Sequence, residues 1–77
     1  MKVHSVPVRK VLRALRKLGF EIARIRGSHV VLKREDGRLT VVPVHGDEEI
    51  GRGLLRKIAY DVGMSLREFF EFIKRDP

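Results

Sequence analysis

The 77-residue chain contains no cysteine, asparagine, glutamine or tryptophan. Without cysteine, no disulfide can cross-link the fold and no thiolate can bind zinc. A metal site would need His, Asp and Glu, but no two of the three histidines have the i, i+4 spacing that lets one helix face bind an ion. We therefore expect neither a metal nor another cofactor. The shortage of thermolabile residues, with 35% charged residues, is a bias typical of hyperthermophilic proteins.

Long apolar runs are also missing. No stretch approaches the roughly 20 apolar residues that a membrane span requires. The first ten residues, "MKVHSVPVRK", lack the apolar region of a secretory signal. The length suits one small domain over residues 1–77. These features predict a soluble, cytoplasmic, single-domain protein.

Positive charge is what the chain has in excess. Seventeen Lys and Arg against ten Asp and Glu give a formal net charge of +7. Such a field attracts polyanions before any specific contact forms. Nucleic acid is the first candidate partner, and an anionic membrane or an acidic protein are the alternatives.

The apolar spacing predicts one helix, three strands and two further helices. The helix lies in "SVPVRKVLRALRKLGF", with Ser5 as its expected cap, Pro7 in its first turn and Gly19 at its end. The strands lie in "FEIARIRG", "SHVVLKR" and "RLTVVPV", and the last two are joined by a tight turn at "EDG".

A loop, "HGDEEIGRG", should lead to helices in "LLRKIAYDVG" and "SLREFFEFIKRDP". Ser65 and Glu68 have capping-box spacing at the start of the last helix. Three phenylalanines fit the buried side of that helix better than a base-stacking surface: Phe69, Phe70 and Phe72. The element order predicts an α+β fold, a double-stranded-RNA-binding-like α-β-β-β-α two-layer domain with an additional C-terminal helix.

Two histidines lie near the open end of the second hairpin. If Glu35, Asp36 and Gly37 form its loop, His29 pairs with Pro43 and His45 follows one step further on the same face. A two-residue turn would shift the register by one and move His45 to the other face, and the sequence leaves both open.

Imidazole can take or give a proton at neutral pH, which RNA cleavage through the 2′-hydroxyl requires. Three nearby cations could hold phosphates: Arg24, Arg26 and Lys33. A plain structural role for His29 is the alternative.

Three segments of the chain closely resemble the HicA toxin family, also called YcfA-like. They are "LRALRKLGFEIARIRGSHVVL", "DGRLTVVPVHG" and "EIGRGLLRKIAYDVGMSLREF", which include the family's "R-x-x-GSH" and "V-P-x-H" patterns in the right order. Two departures stand out. Gly53-Leu54 replaces the frequent Gly-Thr, and "RKIAYDVG" replaces the more usual "RxILRQAG", which we interpret as a packing change.

The resemblance implies a metal-independent endoribonuclease that cleaves mRNA and is neutralised by a HicB-type antitoxin. His29 matches the family's catalytic histidine, and His45 matches its second histidine. Arg24 matches the upstream arginine, while Gly27 and Ser28 match the motif around the catalytic residue. A non-catalytic RNA-binding module of the same fold, or a protein whose basic surface serves only an acidic protein partner, are the alternative functions.

Overall fold

A computed structural model of the protein describes residues 3–46 and 48–75. Its elements in chain order are β1 Val6–Pro7, α1 Val8–Lys17, β2 Glu21–Arg26, β3 His29–Lys33, β4 Leu39–Pro43, β5 Glu49–Ile50, α2 Arg52–Val62 and α3 Leu66–Arg75. The three main strands form an antiparallel sheet in the order β2-β3-β4. The predicted α+β class, with an α-β-β-β-α order and an additional C-terminal helix, is confirmed.

The β3–β4 register settles the alternative that the sequence left open. His29 pairs with Pro43 and Lys33 pairs with Leu39. The Arg34 amide donates to the Arg38 carbonyl at 2.9 Å, which leaves a three-residue loop between them. The two-residue turn is therefore wrong, and the register that places Pro43 beside His29 is correct.

A β-bulge in β2 explains how its isoleucines share a face although they are three residues apart. The register shifts between Ile22 and Arg24, so that Ile22 pairs with Leu32 and Ile25 pairs with Val30. Directly paired residues lie on the same face of a sheet. The bulge therefore keeps both isoleucines on the helix side and turns the side chain of Arg24 to the opposite face.

The N-terminal segment differs from the prediction. Ser5 does not cap α1, because its Oγ donates to the Glu49 carboxylate at 2.9 Å. Val6–Pro7 pairs with Glu49–Ile50, so part of the predicted loop is a short strand. Pro7 precedes the helix rather than lying in its first turn, and its φ of −56° suits this position because the ring fixes φ near that value.

The hydrophobic core lies between the helices and one face of the sheet. All three helices and the strands β1, β3, β4 and β5 contribute to one apolar cluster, whose largest fully buried members include Leu15, Phe20, Leu32, Leu55, Ile58 and Phe69. The prediction for the C-terminal phenylalanines is confirmed, since Phe69 and Phe70 are buried and Phe72 packs against the same cluster.

Glycines follow two of the helices, and a capping box begins the third. Gly19 and Gly63 follow α1 and α2 with φ of 95° and 83°, a left-handed conformation that glycine adopts without strain. The predicted capping box is present: Glu68 accepts from the Ser65 amide, and Ser65 Oγ accepts from the Glu68 amide.

Within residues 3–46 and 48–75, no helix has the length and apolar character that crossing a membrane demands.

Candidate functional site

The face of the sheet that points away from the helices carries three cross-strand rows of side chains. We call it the open face, and its rows are Arg26–His29–Pro43, Arg24–Val31–Val41 and Glu21–Lys33–Leu39. The neighbouring positions Val30, Leu32, Thr40 and Val42 are buried on the helix side. Alternation along β3, together with the bulge in β2, therefore brings Arg24, Arg26, His29 and Lys33 to the same face.

A two-residue turn presents His29 at the start of β3. Arg26 pairs with His29, and Gly27 and Ser28 connect them. Gly27 has a φ of 58°, and no other residue type in the described chain adopts a positive φ. Glycine at the first central position, with an ordinary residue after it, is the pattern of a II′ hairpin turn. The backbone requirement at Gly27 thus sets the strand start that holds His29 between Arg26 and Pro43.

The cations of the open face have no partner among the residues that the structure describes. Arg24, Arg26 and Lys33 are all exposed, and none forms an ion pair with another residue of the described ranges. Glu21 is the acidic residue of this face, and it lies in the row furthest from His29. The end of the face around His29 therefore carries two arginines and no carboxylate from its own rows, which favours a phosphate there.

His45 lies just beyond the ladder. The Val44 amide donates to the Ser28 carbonyl at 2.6 Å, so the pairing of the two strands extends one residue past Pro43. His45 follows as an exposed residue, and Gly46 then turns the chain with a φ of 68°. This brings His45 to the end of the sheet where the Gly27–Ser28 turn and His29 lie. Its part in chemistry, and that of the half-buried Ser28, stay predictions.

Helix α1 carries a second basic surface. Five cations occupy the side of the helix opposite its buried residues: Arg9, Lys10, Arg13, Arg16 and Lys17. The helix contains no acidic residue. Because α1 packs on the core with its other side, this surface points away from the core and is separate from the open face.

Tyr60 is an exposed residue that the sequence reasoning left without a role. Within "RKIAYDVG", Ile58, Ala59 and Val62 are buried, which fits the interpretation of a packing change, but Tyr60 is 80% exposed. The sequence could have indicated this exposure, because position 60 lies outside the helical stripe of buried residues in α2. Among the residues the structure describes, no group of three His, Asp or Glu side chains could hold a metal ion.

The fold and the open face together define a class: a small double-stranded-RNA-binding-like α+β domain with a histidine set among cations on its uncovered sheet face. The chain belongs to the HicA toxin family, because the family model described as the HicA toxin of bacterial toxin-antitoxin systems matches residues 8–64. That range runs from the start of α1 to just beyond α2 and contains every predicted site residue. Among curated proteins, none matches the chain at a significant level.

Proposed function

We propose that this toxin is a metal-independent endoribonuclease that cleaves mRNA, with His29 as its general acid or base. The observation that carries the proposal is the pairing of His29 with Arg26 on the open face, with Arg24 in the next row. Family membership makes the protein a toxin of a toxin–antitoxin system. The open face supplies the residue types that RNA cleavage needs and leaves them accessible to a strand of RNA.

The reaction requires two proton transfers and the stabilisation of negative charge. The 2′-oxygen of a ribose forms a bond to the adjacent phosphorus, and the bond from phosphorus to the 5′-oxygen of the next nucleotide breaks. A base takes the 2′-hydroxyl proton, and an acid gives a proton to the leaving 5′-oxygen. The products are a 2′,3′-cyclic phosphate and a 5′-hydroxyl.

In this scheme His29 carries out one of the two proton transfers. General acid–base catalysis by one positioned side chain raises the rate by a factor of roughly 10² to 10⁴. Arg24 and Arg26 bind the phosphodiester and balance the charge that develops on its oxygens. Lys33 and the Gly27–Ser28 turn contact neighbouring parts of the RNA backbone. His45 acts as the second proton-transfer group or as a phosphate ligand.

The antitoxin in this proposal is a HicB-type protein with acidic residues that cover the open face. The net charge of +7 supports such a partner, since acidic groups over Arg24 and Arg26 would be attracted strongly. A partner seated there would exclude RNA from His29. The basic surface of α1 remains available in that arrangement and adds a weaker, salt-dependent attraction for RNA.

One observation favours a second candidate, a non-catalytic RNA-binding module. The His29 side chain forms no hydrogen bond with any other part of the chain that the structure describes. Catalytic histidines are commonly oriented by a hydrogen bond to the second ring nitrogen. In the module, His29 would be one polar contact among several, and RNA would be bound without being cut.

The test compares RNA with DNA of matched sequence, both single-stranded, in the presence of EDTA. The proposal predicts that the RNA alone is cut, with 2′,3′-cyclic phosphate ends, and that His29→Ala abolishes cutting. His4→Ala is the matched control, because His4 is also exposed but lies outside the sheet, beside Phe70. Tight binding of intact RNA by the wild-type protein would instead support the non-catalytic module.

A further inference from the structure

An aromatic side chain lies beside Leu39, which belongs to the row of the open face furthest from His29. Tyr60, near the C-terminal end of α2, and Leu39, the first residue of β4, are both large exposed side chains. They line one shallow depression together with Arg38, Asp61, Gly63 and Met64. An exposed aromatic ring beside an exposed leucine offers an apolar surface that the fold itself does not use.

The depression continues the open face. Leu39 belongs to that face, in one row with Lys33, and β4 is an edge strand of the sheet. Helix α2 packs against β4 from the other side, so the Tyr60 depression lies where the open face ends at the β4 edge. The Lys33 row lies four residue steps along β3 from the His29 row, a distance of about 13 Å. A single RNA strand of a few nucleotides can span it.

Arg38 lines the depression beside the aromatic ring. The Arg38 guanidinium donates to the Asp61 carbonyl at 3.3 Å and lies 3.6 Å from the Asp36 carboxylate, which holds it over Gly63. A Cβ on Gly63 would come within 3.0 Å of that guanidinium, so the glycine leaves the room that Arg38 occupies. Lys33 pairs with Leu39 in the same row of the open face.

The nearby carboxylate of Asp61 is already engaged. It accepts a hydrogen bond from Thr40 Oγ1 at 2.9 Å and pairs with Lys57 at 3.1 Å. Its negative charge is therefore offset within the fold and does not stand alone beside the depression. The surroundings of Tyr60 favour a ligand that is flat, apolar on its faces and attached to an anionic chain.

We propose that Tyr60 and Leu39 form a nucleobase-stacking subsite for the RNA strand whose cleaved phosphodiester lies at His29. The subsite rests on the proposed ribonuclease function and extends it. Stacking on an aromatic side chain tolerates any base, because every base has a π face. RNA is the occupant that fits this surface, because a nucleobase with its phosphates matches an aromatic ring that continues a cationic face. Arg38 and Lys33 hold the phosphates on either side of the stacked base.

The chain offers a direct optical test, since Tyr60 is its only tyrosine and it has no tryptophan. Intrinsic tyrosine emission therefore reports on this one ring. In EDTA, the His29→Ala protein is titrated with a short single-stranded RNA, which it binds without cutting. Saturable quenching by the RNA, and none by an abasic oligomer of the same length or by inorganic polyphosphate, is the expected result.

Two variants of Tyr60 separate stacking on the ring from general electrostatic attraction of RNA to the protein. Tyr60→Ala should weaken binding of a labelled RNA by roughly tenfold, whereas Tyr60→Phe keeps the ring and should bind as the wild type does. In the cleavage assay, Tyr60→Ala should raise KM and leave kcat within about twofold. Because Tyr60 is exposed, both variants should melt within a few degrees of wild type.

The outcomes distinguish the subsite from the ribonuclease function. Cleavage of RNA without any change in Tyr60 emission, or equal RNA affinity of Tyr60→Ala, overturns the subsite alone. Quenching by an RNA that the wild-type protein never cuts overturns the catalytic claim and leaves the subsite in place. A loss of antitoxin affinity in Tyr60→Ala, with RNA affinity unchanged, would assign the ring to the protein partner and also overturn the subsite.

Discussion

Two leucines of the same sheet have opposite surroundings. Leu32 in β3 is 0% exposed and faces the helices, while Leu39 at the start of β4 is 50% exposed and lies on the open face. Leu32 pairs with Thr40, the residue next to Leu39, so the two leucines are close in the sheet but separated by its thickness. For these two leucines, the side of the sheet and not the residue type decides the burial.

The same separation holds for the charged residues. The helix side of the sheet contains one buried polar residue among those described, Thr40, and its hydroxyl is satisfied by Asp61. The open face carries Arg24, Arg26 and Lys33, which find no partner elsewhere in the described chain. Substitutions on one side should therefore change stability, and substitutions on the other should change activity.

The largest effect expected on stability comes from truncating the buried leucine. Leu32→Ala removes a fully buried side chain and should lower the free energy of unfolding by about 3 kcal/mol, or the melting temperature by roughly 15 °C. Leu39→Ala should change the free energy of unfolding by no more than about 0.5 kcal/mol. Thermal denaturation followed by circular dichroism measures both, and equal losses would contradict the separation of the two faces.

A smaller effect is expected from the buried hydroxyl that joins the sheet to α2. Thr40→Val keeps the shape of the side chain but removes the hydrogen bond to the Asp61 carboxylate, which should cost about 2 kcal/mol. Urea denaturation measures the loss. Lys57→Ala is the control: it removes the exposed i, i+4 partner of the same carboxylate and should cost no more than about 0.5 kcal/mol. A larger loss of stability in Lys57→Ala than in Thr40→Val would contradict the importance of the buried hydrogen bond.

The smallest effect is expected at the exposed capping box of α3. The Ser65 amide, and to a lesser degree its hydroxyl, lowers the pKa of Glu68 by hydrogen bonding to the charged carboxylate. A lowered pKa in the folded state means that ionised Glu68 stabilises the fold above its ordinary pKa. This contribution is lost as the pH falls through the lowered folded value.

Melting temperatures of wild type and Glu68→Gln, measured from neutral pH down into the acid range, check this expectation. The melting temperature of wild type should exceed that of Glu68→Gln at neutral pH, and this difference should narrow as the pH falls below the ordinary pKa of a glutamate. A difference that stayed constant over this range would show that the charge of Glu68 does not contribute to stability. Cleavage at neutral pH should be the same in both proteins, because α3 lies in the helix layer.

Much of this fold could be predicted from local patterns. Three features each depend on residues a few positions apart: the apolar stripe of α1, the glycine that follows this helix, and the capping box at Ser65. The common face of Arg24, Arg26, His29 and Lys33 was harder, because it depends on a register and a bulge. The register had two alternatives that differ by one residue in a turn, and only the paired strands decide between them.

Other features were out of reach of the sequence for physical reasons. The strands Val6–Pro7 and Glu49–Ile50 contain two residues each, too few to show alternation, and they pair across more than 40 positions of the chain. The pairing of these strands also brings Ser5 to Glu49, and their hydrogen bond cannot be predicted from the local rules for helix caps. Tyr60 was visible as a residue outside the buried stripe, but its place beside Leu39 depends on how α2 packs on β4.

In the proposed function His29 serves chemistry and not the fold, and the His29→Ala variant separates these two roles. The melting temperature of His29→Ala and its rate of RNA cleavage in EDTA are measured on the same preparation, beside wild type. We expect a melting temperature within about 3 °C of wild type, as for an exposed residue, and a rate lower by a factor of roughly 10² to 10⁴. A folded variant that cleaves RNA at the wild-type rate would contradict this expectation.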